Sequence, residues 1–90
     1  MRVVPDWVCE IVSQSNARRD RVEELRLYHR AGVGHCWLLE PEAATLTVLQ
    51  HDSAGYRVIQ VAAGTERICA APFEQLEFSV AELLGEEPDS

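Results

Sequence analysis

The stretch Pro5-Asp6-Trp7-Val8-Cys9-Glu10-Ile11-Val12-Ser13 decides the fold of this chain. Its apolar run, rich in valine and isoleucine, predicts a buried β-strand. Two carboxylates interrupt that run, and their even spacing places Asp6 and Glu10 on one face of the strand. A carboxylate among valines is costly unless it has a partner or its pKa shifts. Either a metal ion or a basic partner accounts for these acids, or Glu10 lies at a strand end and reaches solvent.

Length and composition describe one small, acidic, globular domain. The chain has 90 residues, 47% of them hydrophobic, and a net charge of −7. The apolar content is that of a folded protein rather than a disordered one. No apolar run is long enough to cross a bilayer, and the N-terminal residues do not have the layout of a signal peptide. We therefore expect a cytoplasmic protein without membrane association.

Arginine supplies all eight basic side chains, because the sequence contains no lysine. An acidic chain lacks the overall electrostatic footprint of a nucleic-acid-binding protein. The basic residues are nevertheless concentrated in one segment, at Arg18, Arg19, Arg21, Arg26 and Arg30. Either they form a solvated helix face, or they form a local phosphate-contacting surface that the net charge hides.

The cysteines stand far apart in the sequence, at Cys9, Cys36 and Cys69. An odd count without C-x-x-C spacing favours reduced, buried thiols. A zinc site built from these thiols and the histidines is not indicated, because structural zinc sites normally show paired ligands at short spacing.

The rest of the chain predicts alternating elements. A helix over residues 17–31 follows the polar break 14–16, buries a stripe formed by Val22, Leu25 and Tyr28, and stops at Gly32. Strands are predicted over 35–39, 45–50, 56–62 and 66–70, with a hairpin loop over 51–55 and a loop opened by Pro72. A capping box at Ser79–Glu82, with a hydrophobic staple between Phe78 and Leu83, begins a short helix that Gly85 ends.

These elements predict a mixed α+β sheet. The first strand, the helix and the second strand form a βαβ unit, so the two strands should be parallel. A β-meander and a short C-terminal helix follow. We assign residues 1–85 to a single domain and residues 86–90 to an acidic tail.

The combined pattern resembles that of a known family. It reads Pro5-Asp6-x-x-x-Glu10-x-x-Ser13-x-Ser15-Asn16, then Asp20, Tyr28, Gly32-Val33, Trp37 and Glu40-Pro41. This is similar to the Uma family of restriction-endonuclease-like proteins, which belongs to the PD-(D/E)XK nuclease superfamily. The resemblance covers nearly all of the chain and implies the C-terminal part of a restriction-endonuclease-like fold.

The resemblance implies a magnesium-dependent DNA phosphodiesterase, in which carboxylates on neighbouring strands hold the metal. It makes Glu10 a catalytic metal ligand and Asp6 a second catalytic carboxylate. Four residues of regular strand span about 13 Å, so Asp6 and Glu10 should not share one ion. Ser13, at the turn into the helix, and Arg21, which can clamp a phosphate, are the candidate substrate-binding residues.

Two departures from the family pattern bear on activity. The family's second metal-binding carboxylate lies upstream, in a segment that would precede residue 1, and its helix lysine falls on Glu24. We therefore expect weak Mg²⁺ binding and no appreciable DNA cleavage by the isolated chain. The alternatives are a non-catalytic module that forms a homo-oligomer or joins a fuller family member through exposed sheet surface, and a chain that folds without a present function. Trp37 is interpreted as core rather than as a stacking platform for nucleic acid.

Overall fold

The computed structural model describes residues 5–13 and 18–85. The side chains of residues 18–20, the predicted helix-entry residues 14–17 and the acidic tail 86–90 lie outside the described part. The elements, in chain order, are β1 (Trp7–Ile11), α1 (Arg18–Ala31), β2 (His35–Glu40), β3 (Thr45–Asp52), β4 (Gly55–Ala63), β5 (Ile68–Ala70), β6 (Phe73–Phe78) and α2 (Val80–Leu83).

Four strands form a mixed sheet in the order β1-β2-β3-β4. Strands β1 and β2 are parallel, with Glu10 opposite Leu38, as expected for a βαβ unit. Strands β2, β3 and β4 then pair in antiparallel fashion, which confirms the predicted meander. Strands β5 and β6 form a separate antiparallel pair. Glu10 therefore lies on an outer strand of the main sheet.

The main sheet is covered on both faces, which explains why its strands are so apolar. One face packs against β5, β6 and α2 through a core of Trp37, Leu39, Leu46, Val48, Ala62, Ile68, Ala70 and Val80. The opposite face packs against α1 through a smaller cluster centred on Val33, Cys36 and Leu49. Val8 and Tyr28 pack against that second cluster. Since Glu10 is two residues from Val8 on a strand, it shares this helix-covered face.

Helix α1 ends where the sequence predicts. Gly32 has a φ of +86°, and its N–H donates to the carbonyl of His29, while the N–H of Val33 donates to that of Tyr28. This is the Schellman arrangement that a glycine at C′ permits. The predicted buried stripe is only partly correct, because Leu25 and Tyr28 pack inward whereas Val22 is 46% exposed. Val22 instead lines a surface groove described below.

The structure corrects the prediction of a loop after Pro72. Residues Phe73–Phe78 form strand β6 and pair with β5. The segment escapes pattern analysis because Glu74, Gln75, Leu76 and Glu77 are all exposed and do not alternate with buried residues. The backbone pairing and the two terminal phenylalanines, which pack against the core, define the strand.

The strands of the β3–β4 hairpin are longer, and its loop shorter, than predicted. Strand β3 continues to Asp52 and β4 begins at Gly55, so the connection is a two-residue turn. The carboxylate of Asp52 accepts hydrogen bonds from the backbone N–H and the hydroxyl of Ser53, at 2.6 and 3.2 Å. These bonds lower the pKa of Asp52 and stabilise the turn.

The prediction of three buried thiols is wrong for two of them. Cys36 is buried, whereas Cys9 and Cys69 are exposed. Strands β1 and β5 lie at the edges of their sheets, where alternate side chains can face solvent even within an apolar run.

The predicted capping box of α2 is confirmed. Ser79 accepts from the backbone N–H of Glu82, and the Glu82 carboxylate accepts from the N–H of Ser79 at 3.0 Å. The expected staple is different, since Leu83 is exposed and Leu84 packs against the core beside Phe78. Gly85, with a φ of +80°, follows the end of the helix.

Candidate functional site

Glu10 is the centre of the candidate site. It is partly buried on β1, beside β2 and beneath α1. The Tyr28 hydroxyl, from the C-terminal half of α1, donates a hydrogen bond to the Glu10 carboxylate. Among the described residues, no arginine or histidine forms an ion pair with Glu10. A neutral hydroxyl, rather than a cation, is therefore the described partner of this carboxylate.

The Tyr28 hydroxyl is held in its protonated form by its surroundings. Its hydrogen bond to Glu10 is the main cause that raises the pKa of Tyr28 far above its ordinary value, followed by burial and by the charges of Glu10 and Glu24. Tyr28 is thus a protonated donor throughout the neutral range. Glu24, whose charge contributes to this raised pKa, stands at the helix position where the resemblance expects a lysine.

Asp6 does not join Glu10. It lies in a bend just before β1, with an exposed side chain, and its backbone carbonyl accepts from the N–H of His35 at 3.1 Å. This hydrogen bond lies at the start of the parallel pairing between β1 and β2. The prediction that Asp6 lies on the strand, on one face with Glu10, is therefore wrong, because β1 begins only at Trp7.

The two predicted substrate-binding residues lie on different segments of the chain. Ser13 is partly buried just beyond β1, and Arg21 is partly buried near the beginning of α1. In the described part of the chain, Arg21 forms no ion pair.

The described residues do not by themselves form a magnesium site. They contain no group of three or more aspartate, glutamate, histidine or cysteine side chains that could hold a metal. Mg²⁺ demands near-octahedral oxygen coordination, whereas the Glu10 carboxylate already accepts a bond from Tyr28. The Glu10 carboxylate can supply one oxygen ligand, and the described residues gather no further set of ligands around it.

Two aromatic residues can be compared directly with their sequence interpretation. Trp37 is buried, and its indole N–H donates to the carbonyl of Ala71 at 2.8 Å, which confirms that it belongs to the core. Tyr28 was predicted to lie in the buried stripe of the helix; it packs against the second core cluster, and its hydroxyl reaches Glu10. Its acceptor could not be identified from the sequence, because Tyr28 and Glu10 are 18 positions apart.

The sheet covered by α1, with Glu10 on its outer strand, has the arrangement of a restriction-endonuclease-like domain. A family model described as "Putative restriction endonuclease", that of the Uma2 family, matches residues 1–81. The chain therefore belongs to the Uma2 family. Nothing among curated proteins matches it.

A solved structure shows the same fold. It is the crystal structure of a "putative nuclease belonging to DUF820" from Anabaena variabilis ATCC 29413, with a TM-score of 0.72 and 20% sequence identity. The match covers 94% of this chain and 46% of that one, so our chain spans about half the length of its structural neighbour. Across the described residues, no helix is both long and apolar enough to cross a membrane.

Proposed function

We propose that this chain is the glutamate-bearing part of a magnesium-dependent DNA phosphodiesterase and is inactive by itself. The observation that carries the proposal is the position of Glu10, which is partly buried under α1 on an outer strand. Family membership supports the nuclease class. The described residues bring together no group of three potential ligands, which supports inactivity, since Mg²⁺ needs more ligands than Glu10 alone offers.

Each candidate residue has a distinct role in the proposed enzyme. Glu10 supplies one metal ligand, and Tyr28 orients its carboxylate by donating to one oxygen. The bound ion would supply charge stabilisation for the scissile phosphate and an activated water. Arg21 would contact a phosphate but cannot act as a base, because a guanidinium keeps its proton. Asp6 and Ser13 would act at the margins of the site, on substrate rather than on the ion.

A nuclease assay tests this function. The isolated chain should not cleave supercoiled or linear DNA in the presence of Mg²⁺ or Mn²⁺. Metal-dependent cleavage that is lost in Glu10→Ala but kept in Glu74→Ala, a matched change at an exposed glutamate of β6, would overturn the proposed inactivity. The nuclease assignment itself is tested by adding a longer family member, because cleavage by the mixture should then depend on Glu10.

A second candidate function is assembly through a sheet edge. Strand β4 is an outer strand, and its Val58 and Val61 are 55% and 61% exposed. An extra residue in β4, next to the register shift at Val48/Leu49, places both valines on the helix-covered face. An outer strand with exposed β-branched residues is suited to pairing with another chain.

Sedimentation measures this assembly. We expect a dimer or larger species that Val61→Lys converts to monomer. The matched control Thr65→Lys adds the same charge in the exposed turn after β4 and should leave the assembly intact. A monomer at high micromolar concentration would remove the assembly function.

A further inference from the structure

A basic groove lies between α1 and the β3–β4 turn, away from the Glu10 carboxylate. It has a volume of about 330 Å³, which falls in the size range of small-ligand sites. Its lining consists of Val22, Leu25, Arg26, His29, Arg30, Ala54, Gly55 and Tyr56. None of these residues is acidic, although the whole chain carries a net charge of −7.

The two arginines of the groove are available to a ligand. Arg26 and Arg30 are both exposed and are four residues apart on α1, so their side chains project from the same side of the helix. Within the described residues, neither forms an ion pair or a hydrogen bond. Arg67, by contrast, is paired with Glu77 and Glu82. The groove lies beside the C-terminal half of α1, and the last turn of a helix carries a partial negative charge that repels anions. The positive charges of the two arginines offset this repulsion.

The groove is held open by contacts between its two sides. The His29 ring donates to the carbonyl of Asp52 at 2.6 Å and stacks on the His51 ring, with centroids 4.1 Å apart. His51 in turn donates to the carbonyl of His29 at 3.2 Å. The Tyr56 ring stands edge-on to both histidines, and its hydroxyl donates to the carbonyl of Val33 at 2.6 Å. A groove preformed in this way spares a ligand much of the ordering cost of binding.

The lining combines two chemistries. Arginine forks bind phosphate through paired charge-assisted hydrogen bonds. Val22, Leu25 and the Tyr56 ring provide an apolar wall against which a flat ring can lie. A ligand that satisfies both parts carries a phosphate and an aromatic ring on one small scaffold.

We propose that this groove binds a free nucleoside monophosphate, with the phosphate on Arg26 and Arg30 and the base against Leu25 and Tyr56. The charge of the chain decides between a free nucleotide and a nucleic-acid strand. The net charge of the isolated chain, −7, disfavours a polyanion at this groove, whereas a single phosphate of charge near −2 matches the two arginines. The site goes beyond the proposed phosphodiesterase function and does not depend on it.

The test is binding of adenosine 5′-monophosphate, followed by calorimetry and by backbone amide chemical shifts. Amides of residues 22–30 and 54–56 should shift, and Arg26→Gln or Arg30→Gln should each weaken binding by about tenfold or more. Arg57→Gln is the matched control. It removes one positive charge from the residue next to Tyr56. The Arg57 side chain lies outside the groove and donates to the side-chain oxygen of Gln50 at 3.1 Å. This control should change affinity by less than about twofold.

Further ligands separate the two parts of the groove. Inorganic phosphate alone and adenosine alone should each bind at least about tenfold more weakly than the monophosphate, because each fills one part only. Equal weakening by Arg57→Gln and Arg26→Gln would overturn the proposal, since it would show a diffuse charge effect. Binding of a short single-stranded DNA without binding of the monophosphate would overturn it as well. All substituted residues are exposed, and unchanged amide dispersion checks that each variant is folded.

Discussion

The hydrogen bond between Tyr28 and Glu10 can be tested by one substitution. Tyr28→Phe removes the hydroxyl and keeps the ring that packs against the second core cluster. A hydrogen bond to a charged group contributes about 1.5–3 kcal/mol net, and we take the lower end, about 1.5 kcal/mol, because both side chains are only partly buried. For a domain of this length, that loss lowers the melting temperature by about 6–12 °C.

Urea unfolding followed by tryptophan fluorescence measures the effect. The same substitution made in a Glu10→Ala background should cost less than about 0.5 kcal/mol, because the hydroxyl has lost its acceptor there. Equal losses of unfolding free energy in the two backgrounds would refute the contact. They would show that Tyr28 acts through packing alone.

The pH dependence of stability tests the same bond independently. The bond to Glu10 raises the pKa of Tyr28, so the unfolded chain ionises this phenol near its ordinary value of about 10 while the folded chain keeps it protonated. Its contribution is therefore complete below about pH 10 and is lost as the pH rises further. The Tyr28→Phe variant should lose stability less steeply above about pH 10 than the unsubstituted chain. Identical slopes would contradict this assignment. Burial also raises the pKa of Tyr56. Because Tyr56 is present in both chains, both should lose some stability above about pH 10.

Three further substitutions test the scaffold. Leu46→Ala, at a fully buried position, should lower the free energy of unfolding by about 2–5 kcal/mol, and a loss below about 1 kcal/mol in urea titration would argue against the core described. Trp37→Phe leaves the carbonyl of Ala71 without its donor and should cost about 1–3 kcal/mol in thermal unfolding; an unchanged melting temperature would contradict the bond. Ser79→Ala removes the side chain of the capping box and should lower the free energy of unfolding by about 1 kcal/mol. The control Ser53→Ala, in the exposed β-turn, leaves that box intact. An unchanged free energy of unfolding for Ser79→Ala in calorimetry would contradict the cap.

Local patterns in the sequence were sufficient for most of the fold. The apolar run around Glu10, the glycine stop at Gly32 and the capping box at Ser79 each involve residues within a few positions of one another. Such short-range signals survive in the folded chain, because helix ends and strand alternation are set by backbone hydrogen bonding and side-chain period. The parallel pairing of β1 with β2 followed from the strand–helix–strand order alone.

The sequence alone missed elements whose stability comes from distant partners. Strand β6 has no alternating pattern, and it exists because β5 pairs with it and the core receives Phe73 and Phe78. The exposure of Cys9 depends on which strands lie at the edge of the sheet, which no local pattern specifies.

For the candidate site, too, the sequence was sufficient for some features and not for others. The sequence by itself determined that Glu10 lies on the first strand of a βαβ unit. The structure showed that α1 covers the face on which Glu10 lies. Only the tertiary structure decided that Tyr28 is its partner and that Asp6 stays outside the strand. The groove of Arg26 and Arg30 likewise exists only after α1 has packed beside the β3–β4 turn. The physical reason is the same in each case: contacts between residues far apart in the chain depend on how helix and sheet pack, and packing is a property of the whole fold.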